Sequence, residues 1–437
     1  MSIAIPSLRG AIAVPSWAKN DLWRRARAVP SLDLRFAESK SLIDAVSGQQ
    51  LITFSRASNG AVVNSAGQIE IVAANVPRFD HNPVTLESLG LLVEEQRTNS
   101  VTNNTMVGAV AGTPGTNPTG WAYATAQSNG LTISIAGTGV ENGINYIDYR
   151  FNGTTVASPN PCAIGIVNAT AATAQTWTAS TYWKLAAGTT AGTNAWQLGL
   201  IENTAGGTFV TGAFYSQTAP TSAALITQRP TATRTLSGGG TVGMVTLPIN
   251  IPVAGNTAID FTLRIGLPQL EQGAFATSVI PTSGTAVTRS ASLADIVDQA
   301  IANNIRTLCL EFRSPASGTR GVVSLNDNTA NERAAVITSG TDPRLVVHDG
   351  GVEQANIDGG TVTANTRTRV AVRINANDFS ISVNGGAVVT DTSGTLPTVD
   401  RLMLGRTQAG EYLNGPLARV TGWTQLVPDS TLQELAR

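Results

Sequence analysis

Period-two alternation of apolar and polar residues is what most limits the folds open to this 437-residue chain. In Ser31-Leu32-Asp33-Leu34-Arg35-Phe36 every second side chain is apolar, so an extended backbone has one dry face and one wet face. Ile52-Thr53-Phe54 and Ile69-Glu70-Ile71 repeat the pattern, with the hairpin turn signal Asn64-Ser65-Ala66-Gly67 between them. Further along, Trp177 to Trp183 and Phe261 to Leu267 alternate in the same way. So do Val370, Val372 and Ile374, and then Phe379, Ile381 and Val383 ahead of Asn384-Gly385. The most helix-like window is 292–301, and a capped terminal helix is expected from Pro428, where Thr431 and Glu434 have capping-box spacing. Many short strands without long helices between them predict an all-β protein of tandem β-sandwiches, jelly-roll in type.

Pro, Gly and Ser clusters divide the chain. Residues 1–30 read as a docking arm, because a stretch with Trp17, Trp23 and the basic pair Arg24-Arg25 is too short to bury two indoles by itself. Residues 31–100 read as a small β attachment domain and 101–280 as a jelly-roll sandwich. A linker with a short helix follows at 281–304, and a second sandwich at 305–437.

Composition narrows the function. Charged residues make up only 13% of the chain and the net charge is −1, which excludes a phosphate-backbone binder. Cys162 and Cys309 each sit in an apolar strand-like run and are expected as buried free thiols. The opening MSIAIPSLRGAIAVPSW is broken by Pro6, Arg9 and Pro15, so a signal peptide is not expected. No apolar run approaches the ~20 residues of a membrane span, and no membrane insertion is expected.

Three stretches carry a resemblance. LITFSRASNGAVVNSAGQIEI and NVPRFDHNPVTLESLGLLVEEQRTN, within 51–99, resemble the opening of phage head-spike and tail-fibre proteins, a group that includes gene transfer agents. GLPQLEQGAFATSVIPTSGTAVTRSAS, at 266–292, is similar to the segment that ends the jelly-roll domain following that opening, a domain that looks like a carbohydrate-binding module. Residues 305–437, ending DRLMLGRTQAGEYLNGPLARVTGWTQLVPDSTLQELA, resemble a concanavalin-like (laminin-G-like) sandwich. The resemblance implies a structural fibre or spike subunit on a virion surface, assembled in the host cytoplasm and present in several copies. Its N-terminus would meet other virion proteins, and its sandwiches would meet host surface polysaccharide. An architectural spacer without a ligand is the alternative, and a capsule depolymerase a third reading.

The residues themselves point away from catalysis, cofactors and metals. His81 and His348 are the only histidines and lie far apart in sequence, without the spacing of a zinc site. Asn326-Asp327-Asn328 with Asn331 reads as an Asx-turn loop rather than a calcium site. Glycan hydrolysis needs two facing carboxylates, whereas Leu310-Glu311-Phe312-Arg313 supplies one and Glu94-Glu95 point to opposite faces of a strand. Glycan binding needs an exposed aromatic face with amides and hydroxyls around it. Trp121 and Tyr123 after the NPTG loop, and Tyr412 with Asn414 in GEYLN, are the candidates.

Overall fold

The computed structural model describes residues 21–121, 123–125, 129–315 and 318–437. Its strands pair antiparallel throughout and build two sandwiches. None of its helices is long and apolar enough to cross a membrane.

The middle sandwich packs two five-stranded sheets. One holds Leu131–Glu141, Ile144–Thr154, Ala258–Gln272, Thr176–Gly188 and Thr231–Thr235. The other holds Tyr123–Thr125, Cys162–Thr170, Met244–Ile251, Gln197–Asn203 and Phe209–Ser216. From Ile144–Thr154 to Cys162–Thr170 to Thr176–Gly188 to Gln197–Asn203 the chain changes sheet at every connection, the winding of a jelly roll. Alternation does the rest. Ile147, Tyr149, Phe151, Phe261, Leu263 and Ile265 from one sheet meet Ile164, Leu198, Leu200, Val245, Leu247 and Ile249 from the other. Trp196 sets its ring edge-to-face against Trp183 and Phe261, at 6.1 and 5.2 Å between centroids.

The second sandwich is larger and is not confined to residues 305–437. Its eight-stranded sheet takes Leu32–Leu34, Phe79–His81 and Ser88–Val93 alongside Thr307–Phe312, Thr368–Asn375, Asp378–Val383, Val389–Asp391 and Gly415–Trp423. In the seven-stranded sheet opposite, Thr53–Ser55 pairs with Leu293–Val297, which pairs with Arg401–Leu404. Leu32, Leu34, Phe36, Ile52, Leu91 and Val93 share one core with Leu308, Val323, Leu345, Ile381 and Leu402. Residues 31–100 are therefore no separate attachment domain. Of their strands, only the hairpin Gly60–Val63 and Ile69–Val72 and the segment Arg97–Asn99 stand outside these sheets.

The expected linker also folds otherwise. Val287–Arg289 pairs with Arg97–Asn99, and Leu293–Val297 is a strand inside a sheet. The window that looked helical has Ala294 and Ile296 in the core while Val297 is 63% exposed, which is period two rather than 3.6. Only Gln299–Ala302 is helical, and the Asp298 carboxylate caps it by accepting from Ile301 N at 3.1 Å. The terminal helix Asp429–Leu435 does form, but it begins after Pro428 with no side-chain cap, so Thr431 lies within the helix and makes no capping box.

The short helix Asp21–Ala26 docks on its own chain, contrary to the reading of an arm that needs a neighbour to bury its indole. Trp23 is buried, and its Nε1 donates to Asp33 Oδ2 at 2.9 Å. That carboxylate also accepts from Arg35, Arg419 and Thr421. Arg25 donates to Glu434 O at 2.7 Å, at the end of the terminal helix. Leu22 packs with Trp423, Leu432 and Leu435. Arg24 is exposed. Trp17 lies outside the described residues.

Candidate functional site

Two stretches far apart in sequence, 51–99 and 266–292, meet in a buried polar hub. Glu94 sits between two guanidinium groups, 2.8 Å from Arg78 and 3.2 Å from Arg289, and accepts from Ser278 N and Oγ at 2.7 and 2.6 Å. Burial by itself would raise this carboxyl. Arg289, Arg78 and the Ser278 hydrogen bonds outweigh burial and hold it at about 2. Arg56 lies close by, almost fully buried, its guanidinium donating to the carbonyls of Ser58, Ala73 and Val76. Next to the hub, Asn99 accepts from Leu270 N and donates to Ile280 O, while Asn104 and Thr282 exchange hydrogen bonds. Asp80 accepts from Val63 N at 2.9 Å, and desolvation raises its carboxyl to about 6. A cleft of about 520 Å³ opens beside Arg97, Thr176, Trp177 and Gln272. Its charged pair Glu95 and Arg97 is closed upon itself at 2.5 Å.

The aromatic candidates are dispersed. Trp121 is 7% exposed, its ring stacked on Tyr149 at 6.5 Å and its Nε1 donating to Asn103 O. It offers no face to a sugar, which corrects the expectation of a stacking platform there. Tyr412 is half-buried against the core of the larger sandwich. Asn414 is also committed: Oδ1 accepts from Glu95 N, and Nδ2 donates to Glu95 Oε2 and Tyr412 O. Both of its N–H donors are taken and its Oδ1 already accepts once, which ties Asn414 to Glu95 and Tyr412. Tyr123 pairs in register with Gly165 at one edge of the middle sandwich. Among the histidines, His81 Nδ1 lies 3.1 Å from Val63 O and so ties its strand to the neighbouring hairpin. The Asn326–Asn328 loop forms Asx turns, with Asn326 accepting from Asn328 N and Asp327 from Thr329 N. Among the described residues no group of three or more metal-ligating side chains is arranged to hold an ion.

A different surface has the required chemistry. In the sheet containing Gln197–Asn203, the side chains of Ile164, Leu198, Leu200, Val245, Leu247 and Ile249 enter the core. The intervening positions therefore face outward. The registers align them in rows. One row runs Gly165, Pro248, Gly199, Phe214. On one side of it lie Ala163, Asn250, Gln197 and Ser216, and on the other Asn168, Thr246 and Ile201.

Phe214 is 45% exposed. Gly199 lies beneath the rings of Phe214 and Pro248, where an added Cβ would come within 2.8 and 2.5 Å of them. Asn250 donates to Gln197 at 2.7 Å, and Thr246 donates to Asn168 at 2.6 Å while accepting from Asn203 at 2.8 Å. The result is an apolar strip with an exposed phenyl ring at its rim, between ranks of oriented amides and hydroxyls. The sequence alone did not single out this face, because nothing local says which side of its strand Phe214 takes or what lies beside it. The available signal was glycine inside a strand at Gly165 and Gly199, which marks close approach by a ligand or another backbone.

No family model matches the chain, and no curated protein matches it. Solved structures do overlap it, at low scores. Trypanosoma rangeli sialidase in complex with the inhibitor DANA is 13% identical at a TM-score of 0.27, over 33% of this chain and 26% of that one. The chain thus spans about a quarter of the length of that sialidase. The N-terminal CBM22-1-CBM22-2 tandem domain of Paenibacillus barcinonensis Xyn10C is 11% identical at a TM-score of 0.23, over 72% of this chain and 95% of that one. The tripod from the baseplate of bacteriophage Tuc2009 is 13% identical at a TM-score of 0.25, over 79% and 98%. At such scores the overlaps say nothing of the outward face.

Proposed function

We propose that this chain is a fibre or spike subunit of a phage-type particle that binds bacterial surface polysaccharide without cleaving it. The observation that carries the binding is the outward face around Phe214, where an exposed ring and an apolar strip of Pro248 and glycines are flanked by Gln197, Asn250, Thr246 and Asn168. A sugar ring needs that combination of one apolar surface and several fixed hydrogen-bonding groups. Cleavage is left out because glycoside hydrolysis works through two carboxylates roughly 5–9.5 Å apart, and none of the outward residues of this face carries a carboxyl group.

The particle half of the proposal rests on the resemblance of 51–99 and 266–292. Its support is that these two stretches pack into one hub through Glu94, Arg78, Ser278 and Arg289. Several copies on one particle would let individually weak sites act together.

Two measurements test the proposal. Antibody labelling of intact particles, viewed by electron microscopy, should place the chain on the surface. The full-length protein should bind purified host capsule or lipopolysaccharide without releasing reducing ends. Surface labelling without binding to any host polysaccharide would leave an architectural spacer, and reducing-end release would make it a depolymerase.

A further inference from the structure

We infer that the outward face around Phe214 takes a neutral glycan and rejects acidic ones. This rests on the proposed polysaccharide-binding function and assigns the chemical class of its ligand. Between residues 151 and 259 the sequence holds four charged residues: Lys184, Glu202, Arg229 and Arg234.

Each of the four is engaged away from the face. Lys184 pairs with Glu141 at 3.0 Å on the opposite sheet. Arg229 donates to Thr277 O and Ser180 Oγ, and its guanidinium lies over the Tyr182 ring. Glu202 is fully buried, accepting from Arg234 and from the backbone N–H groups of Ser237 and Gly238. The strands Tyr123–Thr125, Cys162–Thr170, Gln197–Asn203, Phe209–Ser216 and Met244–Ile251 thus present no charge outward.

An acidic sugar cannot be held well by such a surface. Seating a uronate, sialate or phosphate against Pro248 and Phe214 strips water from an anion, and the face has no Arg or Lys to compensate. Asn and Gln amides can donate to an anion, but they bring no countercharge to offset its desolvation. A neutral hexose avoids that desolvation cost. Its hydroxyls meet the Gln197–Asn250 and Thr246–Asn168 pairs, and its C–H face lies on the phenyl ring. Those pairs are already hydrogen-bonded to each other, so their orientation is fixed before a ligand arrives. Phe209, 65% exposed on the same edge strand, adds further apolar surface next to the face.

The test uses the full-length protein and immobilised polysaccharides: neutral galactomannan, dextran and arabinogalactan against acidic alginate, hyaluronan and polysialic acid. Binding is measured at about 50 and about 500 mM NaCl, since screening weakens ionic contacts and spares neutral ones. The expected result is binding to at least one neutral polymer that changes less than about twofold with salt. Phe214→Ala should weaken it by about tenfold or more, while Val140→Ala, an exposed change on the other sheet, leaves it unchanged. Binding confined to acidic polymers, or abolished by salt, overturns the inference and leaves polysaccharide binding standing. No binding to either class, or to host polysaccharide, overturns both. Phe214→Ala that changes the sedimentation mass without changing glycan affinity gives the face to a second copy of the chain, and also overturns the inference.

Discussion

Replacing Glu94 by glutamine keeps the side-chain shape and an acceptor for Ser278 N, but removes the negative charge between Arg78 and Arg289. Two routes give the size of the effect. Breaking a buried ion pair by neutralising one partner costs about 3–5 kcal/mol, because the remaining charge stays buried without compensation. Here both guanidinium groups are almost fully buried. Independently, the carboxyl is held at about 2 against an ordinary 4.5, which at ~1.36 kcal/mol per pH unit is about 3 kcal/mol. The folded-state value lies below the unfolded one, so this stabilisation is complete above about pH 4.5 and is lost as the pH falls toward 2. Urea unfolding of wild type and Glu94→Gln, followed by tryptophan fluorescence, should differ by about 3 kcal/mol at neutral pH and by about half that near pH 3. A difference below about 1 kcal/mol at neutral pH, or one that does not narrow on acidification, would refute the account of the hub.

The remaining predictions test other parts of the fold. Asp80 is held up at about 6, so its folded state keeps a proton that the unfolded state has lost; stability should fall as pH rises from about 4 through 6, and Asp80→Asn should flatten that slope in melts taken across the range. Trp23→Ala removes a buried indole and one of the donors to Asp33, and should cost about 3–5 kcal/mol, read by thermal melting and by faster proteolysis at the N-terminal helix. Burial pushes the thiols of Cys162 and Cys309 up to about 12, so both should stay inert to a thiol reagent in the native protein and react once it is denatured.

Alternation made the strands legible, and with them the all-β class, because each strand's dry face is written in its own residues. Partners were not legible. Leu32–Leu34 shows which side is buried, but nothing local says that its neighbour is Val420 to Gly422. For the same reason the N-terminal strands looked like a domain of their own. That Arg78 and Arg289 are buried was not legible, since arginine is mostly exposed and their partners come from segments that only the fold brings together. The outward face was partly legible: the stretch from 151 to 259 is nearly free of charge, and glycines interrupt its strands. Recognising it as a face required the registers that put Phe214 beside Gly199 and Gln197 beside Asn250.

The topology also changes how the proposed fibre would be arranged. A linear reading has attachment domain, jelly roll and terminal sandwich following one another, with the last one distal. In the structure the larger sandwich uses strands from both ends of the chain, Leu32 to Val93 and Leu293 to Trp423. The jelly roll is inserted between them. The chain leaves and returns through two adjacent antiparallel segments, Arg97–Asn99 and Val287–Arg289, with Arg97 opposite Arg289. The Glu94 hub lies at this stem, which explains why so much buried polar structure gathers there: two crossings are fixed at once, and the inserted sandwich is held at both of its ends. If the N-terminal end meets the particle, the larger sandwich goes with it, since the helices Asp21–Ala26 and Asp429–Leu435 both pack on that body. The inserted jelly roll is then the element free to meet a surface, and it is the one that carries Phe214. A fragment beginning at residue 281 would lack four strands of the larger sandwich's two sheets, so binding experiments call for the whole chain.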